Sequence, residues 1–474
     1  MSDTASFSAR AGHRLSGGEP AGRSRWSSAA EFMAILALAL IGVKPFFDLF
    51  GKKVPEDTVD SGMVATAIGA LLMVGSYVAV AVVSRRLPKP LAPGLVALIL
   101  LGLFSVFGLL AVPGRENFLE VFTTANVDQI FGPYIRPENG VVTQAAQLAV
   151  GFAPLALLAV LFVKPAWFST SRLRWILLLV VLGAVAHCVV AWLQVAGVVP
   201  YTYFFNEPTG KIGRASGGYF HPASLGRLLI FAVFILYAAG DRLRLRTSVR
   251  YLLLAIMVAT AVVSTHRMTV VSIAIVIVAF EARRLPELVE TISNLPFRTA
   301  VWGAVGLLAL VLFAAVRWGS FVLDRVLYVA TRVGSLNPTN DQFLHGRGQI
   351  WFRIAEAWQD ATPDIWLFGL GYEPWNTHSD PLRIFVVWGL FGVALMALIF
   401  VNLWRVTRRV VAVEARWLLT LLYVLLGVAA LTQKPTSYSY FMWLFFLCVM
   451  LIVVSFPRMD TPAVTATETV GEHK

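Results

Sequence analysis

Stretches of about 20 apolar residues, each about 30 Å long when helical, recur along the chain at 30–50, 62–83, 91–112, 141–163, 174–199, 221–239, 249–264, 268–282, 298–316, 382–401, 413–431 and 437–457. They run continuously in Leu, Ala and Val without strict alternation, which predicts helices and not the strands of a closed barrel. The expected fold is an all-α integral membrane protein with about 12 transmembrane helices. The stretch 249–282 is interrupted by Ser264, Thr265, His266 and Arg267, with no Gly or Pro to make a turn. A single helix there would be about 50 Å long, too long for the hydrocarbon layer, so two spans are expected.

Lys and Arg concentrate in alternate segments, at 1–29, 84–91, 164–174, 240–250, 281–298, 402–416 and the tail. By the positive-inside rule these face the cytoplasm, with both termini inside. The organisation expected is an N-terminal tail at 1–29, a polytopic domain at 30–457 and a C-terminal tail at 458–474. No cleavable signal is expected, because 1–29 are polar and the first apolar run follows without a small-residue cleavage site. The largest non-membrane segment, 317–380, then lies outside, as do 113–140 and 200–220.

Composition agrees with lipid as the main solvent. Of 474 residues, 58% are hydrophobic and 14% charged, against roughly 25% charged in soluble domains, and the mean hydropathy is +0.73. The net charge of +12 is explained by the basic inner loops, so no nucleic-acid partner is expected. Cys188 and Cys448 both lie inside apolar runs and build neither a disulfide framework nor a metal site. There is no phosphate-binding G-x-x-x-x-G-K-[ST], no H-E-x-x-H and no D-x-D pair, so no cofactor is expected.

What remains is a set of cations on the outer side: Arg214, His221, Arg227, His266, Arg267, Arg347, His378 and Arg383. Ionisable groups at membrane depth are costly and raise a functional question by default. Arg347 opens a helical stretch reaching about Asp360. At 100° per residue from Arg347, Trp351 falls at about 40°, Ile354 at about −20° and Trp358 at about 20°. Gln349, Arg353, Glu356 and Asp360 take the other face, predicting an amphipathic helix lying on the membrane within the long loop. An arginine on its greasy side either holds an anion or snorkels to lipid phosphate.

His378 suits a general base acting on a hydroxyl, or a structural role, and Asp380 is placed to orient its ring. Arg267 either meets phosphate or faces water. His187 reads as a packing residue, and Trp167, Trp318 and Trp388 as an aromatic belt. Arginines and a histidine without clustered carboxylates describe an anion site, with guanidinium geometry matched to phosphate oxygens.

The motifs T-H-R-M at 265–268, G-R-G-Q-I-W at 346–351, and G-L-G-Y, W-N-T-H-S-D-P-L-R and W-G-L-F-G within 369–392 resemble the O-antigen ligase and polysaccharide polymerase family of bacterial inner membranes. Met268 stands where that family often has a small residue. The resemblance implies glycan transfer from undecaprenyl-diphosphate-linked oligosaccharide to an acceptor hydroxyl on the periplasmic face, without metal or ATP. It implies that Arg267 and Arg347 bind diphosphate and that His378 activates the acceptor. Arg214, His221 and Arg383 are substrate-binding candidates from position. Membrane lipids, a flippase and a chain-length regulator are the implied partners.

The string H-S-D-P-L-R looks more like exopolysaccharide polymerases than like ligases acting on lipid A core. A transporter of lipid-linked sugars is the rival from another class, expected to show inverted repeats and paired broken helices. A structural membrane subunit is a third reading, under which alanine at Arg267, Arg347 and His378 is tolerated.

Overall fold

The computed structural model describes residues 25–50, 61–84, 91–111, 137–201, 214–219, 221–264, 266–293, 305 and 347–458. They form the helices α1 (Arg25–Phe50), α2 (Ser61–Ser84), α3 (Ala92–Ala111), α4 (Pro137–Val163), α5 (Thr170–Val195), α6 (Pro222–Ala238), α7 (Thr247–Val263), α8 (Arg267–Ser293), α9 (Arg347–Gln359), α10 (Pro363–Phe368), α11 (Asp380–Val410), α12 (Arg416–Thr432) and α13 (Ser439–Ser455). Among the described residues no strand forms, apart from an isolated bridge between Val411 and Pro457.

A helix lies at each expected span except 298–316, which apart from residue 305 falls outside the described residues, as do Trp318, most of the long loop and the tails before 25 and after 458. Among the described residues six helices, α1, α2, α4, α5, α11 and α12, are long and apolar enough to cross a membrane. Leu71, Val82 and Ile99, on α2 and α3, are more than 60% exposed, as expected of surfaces that face lipid. The shorter α6 and α13 are apolar all round and almost wholly buried, so they form the centre of the bundle. Phe231 of α6 meets Phe441 of α13 edge to face, 4.9 Å between centroids.

Pro45 of α1 and Pro154 of α4 lie inside their helices, and α13 supplies the donor that each removes. A proline leaves the carbonyl four residues earlier without its helical donor. Pro45 does this to Ile41, whose carbonyl accepts from the Tyr440 hydroxyl at 3.1 Å. Pro154 does it to Val150, whose carbonyl accepts from the Trp443 indole N–H at 2.8 Å. Such repair is needed where water is absent.

The break between α7 and α8 falls within 264–266, where hydroxyl and imidazole chemistry replaces Gly or Pro. The Ser264 hydroxyl donates back to the Ala261 carbonyl at 2.7 Å, competing with helix continuation. His266 then stands at the head of α8, its Nδ1 2.7 Å from Thr269 Oγ1.

A second break lies hidden inside an apolar run. Gly389 of α11 has φ 63° and ψ −161°, a conformation nearly restricted to glycine. A Cβ there would sit 2.4 Å from the backbone of Leu367, while one on Gly369 (φ 69°) would sit 2.5 Å from that of Val387. Each glycine lets the other's backbone approach. The freed carbonyls of Val386 and Val387 accept from Leu370 and Gly371 N–H at 2.9 and 2.8 Å. The segment Asp380–Trp388 is therefore a short helix of its own, joined to the loop before it.

The apolar face of α9 is the expected one, with Ile354 and Trp358 buried and Arg353 paired to Glu356 at 2.9 Å on the exposed side. Its covering corrects the expectation of a helix lying on lipid. Ile350, Ile354 and Trp358 pack against Val141 of α4, Ile365 of α10 and Trp375. Trp388 likewise leaves the expected belt: it is 1% exposed, and its indole N–H donates to Ser105 of α3 at 2.8 Å. Trp167 is buried as well.

Candidate functional site

The six residues Gln433 to Tyr438 link α12 to α13, and Pro435 opens a tight 3-10 turn over Pro435–Ser437. The Ser437 hydroxyl donates to the Lys434 carbonyl at 2.8 Å and closes the turn. Three branches of hydrogen bonds leave this loop and reach most of the segments singled out from sequence.

The first branch holds Arg383. Asp380 accepts from Arg383 Nε at 3.0 Å and from the Thr436 N–H and hydroxyl at 2.9 and 2.7 Å. Arg383 also donates to Gln144 Oε1 of α4 at 2.5 Å and to the Thr436 hydroxyl. Both charges are at most 2% exposed. A buried pair survives only when its remaining donors and acceptors are satisfied, and this one is. Arg383, expected to bind substrate, is instead 1% exposed, and each of its three guanidinium nitrogens donates to a protein group, Asp380, Gln144 or Thr436. Asp380, expected to orient His378, spends both oxygens on Arg383 and Thr436.

The second branch holds His378. Lys434 Nζ donates to Glu373 at 2.7 Å, and the same carboxylate accepts from the Thr377 N–H and hydroxyl at 2.7 and 2.8 Å. The Thr377 carbonyl accepts from the Trp351 indole at 2.9 Å, one helical turn beyond Arg347. His378 follows directly, half-buried, with φ 52° and its N–H donating to Asn376 Oδ1 at 3.3 Å. Left-handed backbone at a residue other than Gly is strained and clusters at functional sites. The Arg347 side chain lies outside the described residues.

The third branch reaches α6 and α8. Gln433 Oε1 accepts from Arg227 Nε at 3.2 Å, and its amide nitrogen is 3.4 Å from His266 Nε2. That amide donates, so the His266 proton sits on Nδ1 and points at Thr269. Gly226 leaves room for this, since a Cβ there would overlap the Thr269 hydroxyl. Arg267 is next in sequence, exposed at the first position of α8. A cation at a helix N-terminus opposes the macrodipole, whereas an anion there is favoured.

Arg227 also lies over the Tyr438 ring, 3.2 Å from its centroid. Burial alone would raise the Tyr438 phenol, but the Arg227 guanidinium and the Lys434 ammonium outweigh it and bring it below its ordinary value.

A neighbouring polar group has no counterpart in the sequence reading. Lys44 and Asp48 pair at 2.7 Å on α1, and Lys44 lies 4.6 Å from the Tyr440 ring centroid. Burial and the Asp48 carboxylate push the Tyr219 phenol well above its ordinary range. His187 stacks on Tyr219 at 4.2 Å, accepts from Gly218 N–H at Nδ1 and donates from Nε2 to the Pro45 carbonyl at 2.8 Å. His187 therefore packs with both nitrogens satisfied.

His221 caps α6, its Nδ1 accepting from Ala223 N–H at 3.0 Å. Arg214 lies in the short segment 214–219, half-buried. The residues missed from sequence are Glu373, Gln433, Lys434, Thr436 and Tyr438. The last four share one sequence signal, the polar interruption Q-K-P-T-S-Y after an apolar run, whereas Glu373 lies within the G-L-G-Y-E-P-W string at 369–375.

Among the described residues no three His, Cys, Asp or Glu side chains form a metal-holding group. No family model matches the chain, and no curated protein matches it.

Proposed function

We propose that the chain is a membrane glycosyltransferase that polymerises undecaprenyl-diphosphate-linked oligosaccharide repeats on the periplasmic face of a bacterial inner membrane, in exopolysaccharide or O-antigen assembly, without a cofactor. One observation carries this reading. Hydrogen bonds join Trp351 to Thr377, Thr377 to Glu373 and Glu373 to Lys434, and Gln433, the chain neighbour of Lys434, reaches His266, so the segments bearing Arg347, His378 and Arg267 are tied to a single loop. In the proposed step the acceptor hydroxyl attacks the anomeric carbon while His378 takes its proton. The bond from that carbon to the diphosphate oxygen breaks, and the electron pair leaves on undecaprenyl diphosphate. Arg267 and Arg347 hold the charge that develops there.

The test is to incubate the purified full chain with lipid-linked oligosaccharide alone, then with lipid A core added, with H378A as control. A ladder from the first mixture supports polymerisation. Product only with lipid A core makes the chain a ligase. EDTA leaves the ladder unchanged, and its abolition would overturn the metal-free part of the mechanism.

Transport of a lipid-linked sugar is a second reading, favoured by the broken helix at Gly389 and the prolines inside α1 and α4. It predicts carrier movement across vesicles with no change in glycan length.

A further inference from the structure

At the far end of α11 from Arg383, beyond the break at Gly389, five arginines gather. Arg405, Arg408, Arg409, Arg416 and Arg458 line, with Trp404, a concavity of about 340 Å³. They come from three places in the chain. The first three belong to the end of α11, and Arg416 begins α12. Arg458 is held there by backbone, its N–H donating to the Val410 carbonyl at 2.8 Å beside the Val411–Pro457 bridge.

Cations at the C-terminal turn of α11 complement its dipole, which explains Arg408 and Arg409 in isolation. The same rule disfavours Arg416 at the first position of α12, a helix whose N-terminus has no side-chain cap. Arg416 Nε is buried without a hydrogen-bond partner, an unmet donor with a cost. Among the described residues no acidic side chain lines the concavity. The arrangement calls for an anion with several oxygens.

Its source follows from the surface beside it. Ala394, Leu398, Val401, Arg405 and Arg408 are all exposed and follow one another at three- and four-residue steps along α11, so they form one stripe. That stripe is apolar up to Val401 and cationic from Arg405 onward, and half-buried Trp404 stands at the change, as aromatic residues do at the membrane boundary. We propose that this concavity binds the phosphate headgroup of an anionic phospholipid, with an acyl chain lying along Leu398 and Val401. The inference rests on the chain spanning a membrane and not on the glycan chemistry.

The experiment uses the full chain in detergent, titrated with phosphatidylglycerol or phosphatidylcholine and read by native mass spectrometry. Phosphatidylglycerol is expected to be retained at least about tenfold more strongly. The R405Q/R408Q variant, altered at exposed positions only, is expected to lose about fivefold per arginine, with helicity unchanged. R416Q tests the buried donor and is expected to weaken retention in the same direction. Equal retention of both lipids, or unchanged retention in R405Q/R408Q, overturns the proposal. Displacement of the lipid by millimolar inorganic phosphate would make this a site for soluble anions and overturn it as well. Glycan-transfer activity is not the readout, so failure of that reading leaves this test intact.

Discussion

The indole N–H of Trp443 donates to the carbonyl of Val150, the carbonyl that Pro154 leaves without a helical donor. Trp443→Phe removes the donor while keeping an aromatic ring, and is expected to lower stability by about 1–2 kcal/mol. Pro154→Ala restores a backbone N–H to Val150, so it should recover part of that loss in the Trp443→Phe background. Denaturation of the four proteins of this double-mutant cycle in bicelles measures the coupling, and additive effects would contradict the repair.

Gly389→Ala meets two obstacles, a backbone conformation closed to side chains and a Cβ 2.4 Å from Leu367. A loss of about 3 kcal/mol or more is expected. At Gly427 of α12 an added methyl group would meet nothing within 4 Å, so Gly427→Ala should be neutral or stabilising by up to about 1 kcal/mol. Comparing the two thermal midpoints checks the contrast.

Lys434 and Glu373 are 13% and 2% exposed. Lys434→Met leaves a buried carboxylate without its cation and is expected to cost about 3–5 kcal/mol. The double variant Lys434→Met/Glu373→Gln should be less destabilised than Lys434→Met alone. Chemical denaturation of the single and double variants reads this directly, and a double variant worse than both singles would contradict the pairing.

Tyr438 contributes one pH dependence. Its phenol ionises more readily in the folded protein than in the unfolded chain, because Arg227 and Lys434 favour the phenolate despite burial. The stabilisation from its ionisation therefore grows as pH rises through its folded value, is complete above about pH 10, the ordinary tyrosine value, and is lost as pH falls back through the folded value. The ultraviolet titration component missing from Tyr438→Phe should fall below that ordinary value. In Arg227→Gln it should move upward.

On the proposed chemistry, His378→Gln should lower turnover by about a hundred- to ten-thousandfold with helicity unchanged. Arg383→Ala should act differently, lowering the yield of folded protein because Asp380 loses its buried partner. Ladder formation and circular dichroism, measured together, separate the two roles.

The apolar runs announce where the helices lie, and the 100° arithmetic picks out the face of α9 that buries Ile354 and Trp358. Ser264 and His266 mark a helix break by composition alone. Periodicity carries no information about which distant segment a side chain meets, so the bonds of Lys434 to Glu373 and of Gln433 to Arg227, 61 and 206 residues apart, are not legible in it. Arg383 looks like a boundary cation because its partners Gln144 and Thr436 are equally remote. Gly389 is concealed because glycine within an apolar run reads as packing until the Leu367 backbone is seen against it.

The bonds from Leu370 and Gly371 to Val386 and Val387 turn the chain between them into a fastened ring, with His378 on its rim. Those main-chain bonds close the ring, and the side-chain bonds of Glu373, Thr377 and Arg383 anchor it to the loop before α13. On the proposed chemistry, an acceptor arriving there meets a base carried on a loop that two main-chain bonds already close.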